Sequence, residues 1–431
     1  MALSWRAVAL VLLGLLPVLQ WPSMSTVRWW LLICLVVIAL DLLLAPSPKK
    51  LRVERSADEQ VRLGESASST LTVTNPTGRR MRGRLRDAWV PSAGASGERH
   101  TLDVPGGERR RYRTDLLPTR RGDRRADRVT LRVWGPLGIA ARQESRPVSG
   151  SVRALPPFHS RRHLPSRLAQ LRQLDGRSAV RTRGQGTEFD SLRDYVQGDD
   201  VRSIDWRATA RRQHVVVRTW QPERDRRVIL VLDTSRTSAA RIDDQPRLDA
   251  AMDAALLLAA LASRAGDRID LIAGDRRVRG RVTPNTDRKA LLHQLVTAMA
   301  PIEPVLVEAD WTMLAGKVTG LTRRRALVVL LTALEPAAIE EGLIPVLPAL
   351  TAHHRVVVAS VADPELGRMR DDLTDLQAVY DAAAAERTVS LRQRTAEALE
   401  RLGVHVIDAD PDELPPRLAD HYLALKAQGL L

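Results

Sequence analysis

The sequence predicts a mixed α/β protein in three parts. These are an N-terminal transmembrane helical hairpin, a small β-sandwich domain of immunoglobulin-like type, and a doubly wound domain on a parallel sheet. Three observations carry this. The N-terminal end holds two apolar runs long enough to cross a bilayer. Positions 51–156 hold short strand-like segments between turn residues. Past Arg227, short β-branched runs alternate with Ala/Leu-rich amphipathic ones, the pattern of strands and helices wound into a parallel sheet.

A chain of 431 residues suffices for two or three domains with cores. The expected divisions are 1–48, 51–156, a basic linker at 157–183, and 184–431. No charged residue occurs from 7 to 27, and 29–45 is apolar apart from Asp41. Trp21, Trp29 and Trp30 fit an interfacial aromatic belt. Lys49, Lys50, Arg52 and Arg55 follow the second run, which puts that end in the cytoplasm by the positive-inside rule. Both ends of the hairpin are therefore expected inside, with the soluble part cytoplasmic at the plasma membrane. A cleaved signal peptide is the rival reading; the second apolar run and the lack of an A-x-A pattern speak against it. Asp41 is expected to reach the interface or to pair with Arg or Lys, rather than to act as an intramembrane functional carboxylate.

In the β domain the strand candidates are 61–63, 69–74 and 128–133, separated by turns such as Asn75-Pro76-Thr77-Gly78 and Pro105-Gly106-Gly107. No Ser/His/Asp grouping or Cys pair appears there, so it reads as a binding or spacer module. The basic stretch 158–181, with His159 and His163, reads as a linker or short amphipathic helix. Without partners at ligand spacing, its histidines are solvated rather than metal-binding.

The α/β part predicts strands at 228–232, 269–273, 326–332, 356–361 and 404–407. Helices are predicted at 248–265, around 288–300 and 337–352, within 373–402, and at the end. The first strand ends on Asp233, followed by Ser235 and Thr237. An acid-plus-hydroxyl turn at such a strand's carboxyl end lies where open α/β sheets bind ligands.

The formal charge of +15 is carried mostly by arginine, although 51 acidic residues are interspersed. Such a balance suits an anionic membrane surface, an acidic protein partner or nucleic acid, and equally reflects an arginine-heavy coding bias. Nucleic acid is disfavoured. Aromatics make up 3% of the chain, and no RNP, KH or helix-turn-helix signature is present. The lone Cys34 lies in an apolar run, which excludes disulfides and cysteine-based zinc sites. No P-loop, dinucleotide fingerprint, G-x-S-x-G or H-E-x-x-H occurs. His353 and His354 are adjacent and suit a helix C-terminus. The chain is expected not to be an enzyme.

One segment is more specific than the rest: GxGxEFxxLRxYxxGDDxRxIDWxxxAR, before the strand ending in DxSxT. It comprises Gly184, Gly186, Glu188, Phe189, Leu192, Arg193, Tyr195, Gly198, Asp199, Asp200, Arg202, Ile204, Asp205, Trp206, Ala210 and Arg211. This segment resembles the DUF58 family, as do the apolar N-terminus and the Trp134-Gly135-Pro136-Leu137-Gly138 run. The resemblance implies an integral membrane protein with a von Willebrand factor A-like domain at its C-terminal end. It further implies association with AAA+ ATPases of the MoxR type, and no established catalytic activity.

A von Willebrand A-like fold implies a metal-ion-dependent adhesion site. An Asp and two hydroxyls, with a Thr and an Asp from two further loops, hold Mg²⁺ or Mn²⁺ through oxygen. Asp233, Ser235 and Thr237 match the first loop. The second-loop position corresponds to Ala309 and the third to Ala333, neither with an oxygen to offer; Asp310 and Glu335 are the nearby substitutes. Mg²⁺ or Mn²⁺ is the one cofactor left open there, against a polar turn in which Ser235 or Thr237 caps the following helix.

The cluster Asp199, Asp200 and Asp205 lacks EF-hand spacing. It is expected to form a buried ion-pair network, Asp200 or Asp205 with Arg202 or Arg211, over a packed Trp206. The second reading makes Glu188, Arg193, Tyr195, Asp199, Asp200, Arg202, Asp205, Trp206 and Arg211 a partner-binding surface. The functional expectation is a membrane-anchored interaction scaffold working with a MoxR-type AAA+ ATPase in assembly or maturation of a partner complex. The alternatives are a binding protein for an anionic polymer or lipid headgroups, or a metal-dependent adhesion-type module. Homo- or hetero-oligomerisation stays open.

Overall fold

In the computed structural model, residues 2–181, 188–221, 226–242, 245–283 and 288–431 are described. They fall into two units, Met1–Pro156 and Pro157–Leu431. The first opens with β1 (Ala2–Leu3), α1 (Trp5–Leu13), α2 (Leu15–Gln20) and α3 (Met24–Leu44). Ser4 and Ser23 cap α1 and α3, their side chains accepting from the amides of Arg6 and Thr26. The 21 residues of α3 reach about 31 Å, enough for a bilayer core. Among the described residues, this is the one helix long and apolar enough to cross a membrane. The first apolar run, expected as a second span, forms two shorter helices of nine and six residues. Pro17 brings no N–H to the ladder, so the helix breaks before it.

Asp41, in the last turn of α3, is fully buried and pairs with neither Arg nor Lys, contrary to expectation. Its carboxylate instead accepts the backbone N–H groups of Leu137, Ile139 and Ala140, each at 2.8 Å. A buried carboxylate needs such donors, and a folded turn supplies amides at fixed spacing. Gly135 is required by this approach, since a Cβ there would lie 2.2 Å from an Asp41 oxygen. The helix-end carbonyls that lack intrahelical partners are met by arginines. Arg142 donates to the oxygens of Leu42 and Leu43, and Arg79 to that of Leu44.

The rest of this unit is a sandwich. Its strands are β2 (Arg52–Ala57), β3 (Gln60–Arg62), β4 (Ala67–Thr74), β5 (Met81–Trp89), β6 (Ala95–Ser96), β7 (Arg99–Val104), β8 (Arg109–Leu116), β9 (Gly122–Trp134), β10 (Ala140–Arg146) and β11 (Ser151–Leu155). One sheet holds β2-β4-β8-β6. The other runs β1-β10-β9-β11-β3, with β5 on β9 and β7 on β5. β4 and β5 alternate buried with more exposed residues, as half-buried strands do. Leu71 and Val73 of one sheet meet Leu85, Leu102, Leu131 and Val133 of the other in a common core. Bridging the two sheets is a buried ion pair, Arg55 Nη2 to Asp87 Oδ1 at 2.6 Å. Asp87 also accepts from Thr114 and Trp89, and the Arg55 guanidinium lies 4.9 Å from the Trp89 ring centre.

The second unit begins with a 3₁₀ turn, His159–His163, and α4 (Leu164–Arg181). The stretch expected as a basic linker is thus helical and packed. Leu171 is buried, Ser160 bonds to Asp253, and Arg167 pairs with Asp420. Positions 182–183 of the expected linker lie outside the described residues. Next come β12 (Glu188–Asp194), α5 (Trp206–Arg212) and β13 (Val216–Gln221), then β14 (Arg227–Asp233) and the short pair β15 (Arg241–Ile242) and β16 (Gln245–Pro246). They are followed by α6 (Arg247–Arg264), β17 (Arg268–Gly274), β18 (Val278–Val282), α7 (Arg288–Met299), α8 (Trp311–Leu321) and β19 (Leu327–Leu331). The chain ends with α9 (Pro336–Ala338), α10 (Leu347–Thr351), β20 (Arg355–Val361), α11 (Pro364–Asp371), α12 (Leu376–Arg401), β21 (His405–Ala409) and α13 (Leu414–Ala427). Where one helix was expected over 337–352, α9 and α10 are separated by a π turn and a 3₁₀ turn. Pro345 and Pro348 interrupt the amide ladder there.

The main sheet has the order β18-β17-β14-β19-β20-β21. Five strands are parallel and β18 is an antiparallel edge. All of β19 and nearly all of β14 is buried, the signature of a parallel sheet covered on both faces. Ile229, Val231, Val328 and Leu330 pack with Trp311, Leu314 and Val318 of α8. The strand order reverses between β14 and β19, which places the crevice outside their carboxyl ends.

Candidate functional site

Two constellations come out of the second unit. The first lies at the strand reversal. The apolar run of β14 delivers Asp233 into the crevice at 1% exposure. Its Oδ1 accepts the amide of Ser235 at 2.8 Å. Its Oδ2 accepts the hydroxyls of Thr237 at 3.0 Å and Thr332 at 2.7 Å. Ser235 and Thr237 are themselves 3.2 Å apart through their hydroxyls. Burial raises the Asp233 pKa above the ordinary carboxylate value, opposed by the bonds from Thr332, Ser235 and Thr237.

Thr332 was not singled out by sequence reasoning, which looked one residue further, at Ala333. The available signal was a hydroxyl at the end of an apolar run beside the Asp233 strand. The loop before α8 does come alongside, with Val305 N bonding to Thr234 O and Arg236 N to Val307 O. Ala309, however, packs against the apolar core. Asp310 accepts the amide of Met313 as the cap of α8, and Glu335 lies 3.6 Å from Arg247. Neither substitutes at the Asp233 carboxylate.

A hexacoordinate hard cation needs about six oxygens, commonly with more than one carboxylate. Here one carboxylate is already met by its own loop and by Thr332. Among the described residues, no group of three or more His, Cys, Asp or Glu is placed to hold a metal ion. The donor set fits a hydrogen-bonded turn and does not fit a tight Mg²⁺ or Mn²⁺ site. Beside it, Thr234 Oγ1 donates to Asp275, which also receives Arg279. Burial pushes Asp275 up, but those bonds outweigh it and hold its pKa below the usual value. Arg247, at the start of α6, donates to Thr237 O at 3.1 Å.

The second constellation is the motif hairpin β12–β13 with α5. Its two strands pair antiparallel, with a bulge between Phe189 and Ser191. Gly198 turns the chain at φ +110°, a conformation that disfavours a side chain. The expected pairing and the observed one differ. Asp199 takes a bidentate bond from Arg193, at 2.7 and 2.5 Å, and the amide of Val196. Asp205 caps α5 through the amides of Arg207 and Ala208 and pairs with Arg218. Asp200 accepts the amide of Arg202 as the cap of a 3₁₀ turn. Both shifted carboxyl groups titrate below the usual range, Asp199 chiefly through Arg193, and Asp205 chiefly through the Ala208 amide and then Arg218. The side chains of Arg202 and Arg211 are exposed and Tyr195 is half-buried.

This network lies at the surface, not under the sheet, and Trp206 does not pack beneath it. Trp206 is 67% exposed, with Val196 at 62% and Val201 at 61%. The reason is local. The apolar side chains of the same segment, Val196 and Val201, are themselves turned to solvent and leave the ring uncovered. Gly184 and Gly186 lie outside the described residues, and the side chains of Glu188 and Phe189 lie outside the description too.

A family profile described as "Protein of unknown function DUF58" matches residues 191–415. The chain belongs to this family. The match takes in the motif hairpin from its first strand, the Asp233 turn and the sheet. Uncharacterized proteins of Mycobacterium tuberculosis (strain ATCC 25618 / H37Rv) and Mycobacterium bovis are each 30% identical to this DUF58 protein over 187 residues, 42% of this chain and 56% of theirs. The chain thus spans about half the length of the curated relatives it matches. Among solved structures, the CARDB domain of a Pyrococcus furiosus protein aligns at TM-score 0.18 and 16% identity, over 26% of this chain and 90% of that one. An exo-β-N-acetylglucosaminidase from Vibrio harveyi aligns at TM-score 0.23 and 10% identity, over 83% and 75%. Likenesses that loose bear on neither fold nor activity.

Proposed function

We propose that this DUF58 protein is a non-enzymatic, membrane-anchored interaction scaffold. Its motif hairpin docks an acidic protein partner, a MoxR-type AAA+ ATPase being the expected one, during assembly or maturation of a protein complex. One observation carries the reading. Within the segment that carries the family motif, Trp206, Val196 and Val201 are exposed, while four arginines stand against one carboxylate over 201–212. That carboxylate, Asp205, is engaged by α5 and Arg218. Tryptophan and arginine are both enriched at interface hot spots, and exposed apolar side chains carried on one short segment suit an interaction site.

The anchor is the N-terminal helical segment, with the soluble part in the cytoplasm. β1 pairs with β10 at Ala2↔Ala141 and Leu3↔Ala140, and α3 returns to the same turn through Asp41. If α3 spans the bilayer, α1 and α2 must cross it as well, which supports the hairpin. The strand order and the Asp233 turn at the reversal support a von Willebrand A-like reading of the second unit, with its adhesion-type turn working without a metal.

The test is co-purification of the full-length chain with the MoxR-type ATPase of the same genome from solubilised membranes. Trp206→Ala is expected to abolish the complex and leave the melting profile within about 0.5 kcal/mol of wild type, as for an exposed site. An undiminished complex with Trp206→Ala and Val201→Asp together refutes the docking surface.

A further inference from the structure

The first unit holds a feature that the scaffold reading does not use. Where the chain leaves α3, an open cleft of about 620 Å³ is lined by Lys49, Lys50, Arg52 and Arg146, with Glu54 its one acid. We infer that this cleft binds the phosphate of an anionic lipid headgroup.

Three observations converge on it. The first is placement. Lys49 and Lys50 end a 3₁₀ turn a few residues past Leu44, the last residue of α3. Arg79 and Arg142 bond to the carbonyls of that same helix end. Two arginines therefore hold the end of α3 and two lysines follow within six residues, at headgroup depth if α3 spans. The second is availability. Among the described residues, Lys49, Lys50 and Arg52 have no carboxylate partner. The third is preorganisation. Pro48 is buried and Leu51 is 1% exposed in the sandwich core, so the backbone carrying the lysines is anchored on both sides. Arg146 Nη2 donates to Leu51 O at 2.6 Å, which fixes its guanidinium at the cleft wall.

The cytoplasmic leaflet is anionic, and juxtamembrane basic clusters are drawn to it. Lysine meets a phosphate as a point charge and arginine as a fork. The cleft combines both kinds of donor around one opening. Free phosphate esters share that chemistry, so the source of the phosphate is what the experiment must separate. The inference needs α3 in a bilayer but does not need a protein partner.

The full-length chain in neutral detergent is titrated with short-chain phosphatidylglycerol, short-chain phosphatidylcholine and glycerol phosphate, with binding read by calorimetry. Saturable binding of phosphatidylglycerol is expected, with the other two far weaker. Each cation removed is worth about 5-fold, so Lys49→Gln/Lys50→Gln/Arg52→Gln loses on the order of 100-fold. The single Arg52→Gln, at an exposed strand position, loses about 5-fold. Arg109→Gln/Arg111→Gln on β8, which removes exposed charge elsewhere, binds as wild type. Equal loss in that control would show a diffuse charge effect and overturn the site. Glycerol phosphate binding as tightly as phosphatidylglycerol would overturn the lipid assignment. Release of the chain from membranes by alkaline carbonate overturns the anchor and the lipid site together, and leaves the hairpin docking surface standing.

Discussion

Asp233→Ala removes the acceptor of three donors: the Ser235 amide and the Thr237 and Thr332 hydroxyls, at 2.7 to 3.0 Å. Leaving each buried donor unmet costs about 1 kcal/mol, so the variant loses about 3 kcal/mol and the second unit melts about 6 °C lower. Asp233→Asn keeps an acceptor and removes the charge, and separates the two effects. Burial raises the folded-state pKa of Asp233 above its unfolded value. The native state therefore holds the proton more tightly, and its contribution is largest below the unfolded pKa. That contribution is lost as pH rises from the unfolded value through the raised folded one. Wild type is expected to lose stability relative to Asp233→Asn as pH climbs from about 4 towards neutrality. The assay is calorimetry of the full-length chain in detergent across that range, with EDTA and then with Mg²⁺ or Mn²⁺. A metal that binds only the folded state at 100 times its Kd adds about 2.7 kcal/mol. A metal-dependent rise in wild type that Asp233→Asn abolishes refutes the argument that this carboxylate is satisfied by its own fold.

Asp87→Ala strands the Arg55 guanidinium between the two sheets and is expected to cost about 3–5 kcal/mol. Arg55→Met/Asp87→Leu costs far less, because no charge is left buried; a double-mutant cycle on the melting of the first unit decides it. Asp41→Ala orphans the amides of Leu137, Ile139 and Ala140. Hydrogen exchange at those three amides is expected to accelerate in micelles while exchange in β4 and β5 is unchanged; unaltered exchange at all three refutes the latch. Ser160→Ala removes the hydroxyl that bonds to Asp253 Oδ1 at 2.9 Å in a buried setting. It is expected to destabilise the second unit by about 1–2 kcal/mol. A change confined to the first unit would refute the placement of the 157–181 stretch in the second.

The strands and main helices of the α/β part were legible because their signals are local. A run such as Val228-Ile229-Leu230-Val231-Leu232 buries both faces wherever it lies in the sheet, and a helix such as α6 declares itself by its Ala/Leu content. The edge strand β18 and helix α8 were not anticipated. Val278–Val282 alternates Arg and Gly with Val, and Trp311–Leu321 carries two glycines, so neither shows a strong period. In the sandwich the turns were readable but most strands were not, because strands such as β8 carry arginine on their exposed face.

At the sites, the sequence by itself determined which chemical groups are present: the Asp233 loop, the arginine-rich motif, and the basic residues after α3. Only the tertiary structure decided their partners, because the donors come from elsewhere in the chain. Thr332 reaches Asp233 across 99 positions, and the Asp41 amides come from 96 to 99 positions away. Burial is decided in the same way. Trp206 was expected to pack beneath an ion-pair network, yet it stays exposed together with Val196 and Val201 of the same segment. Asp41 was expected to reach the interface or a basic partner, yet a turn with a glycine at 135 closes over it. A side chain's type is written locally, but its dielectric surroundings and its partners exist only once distant segments have packed.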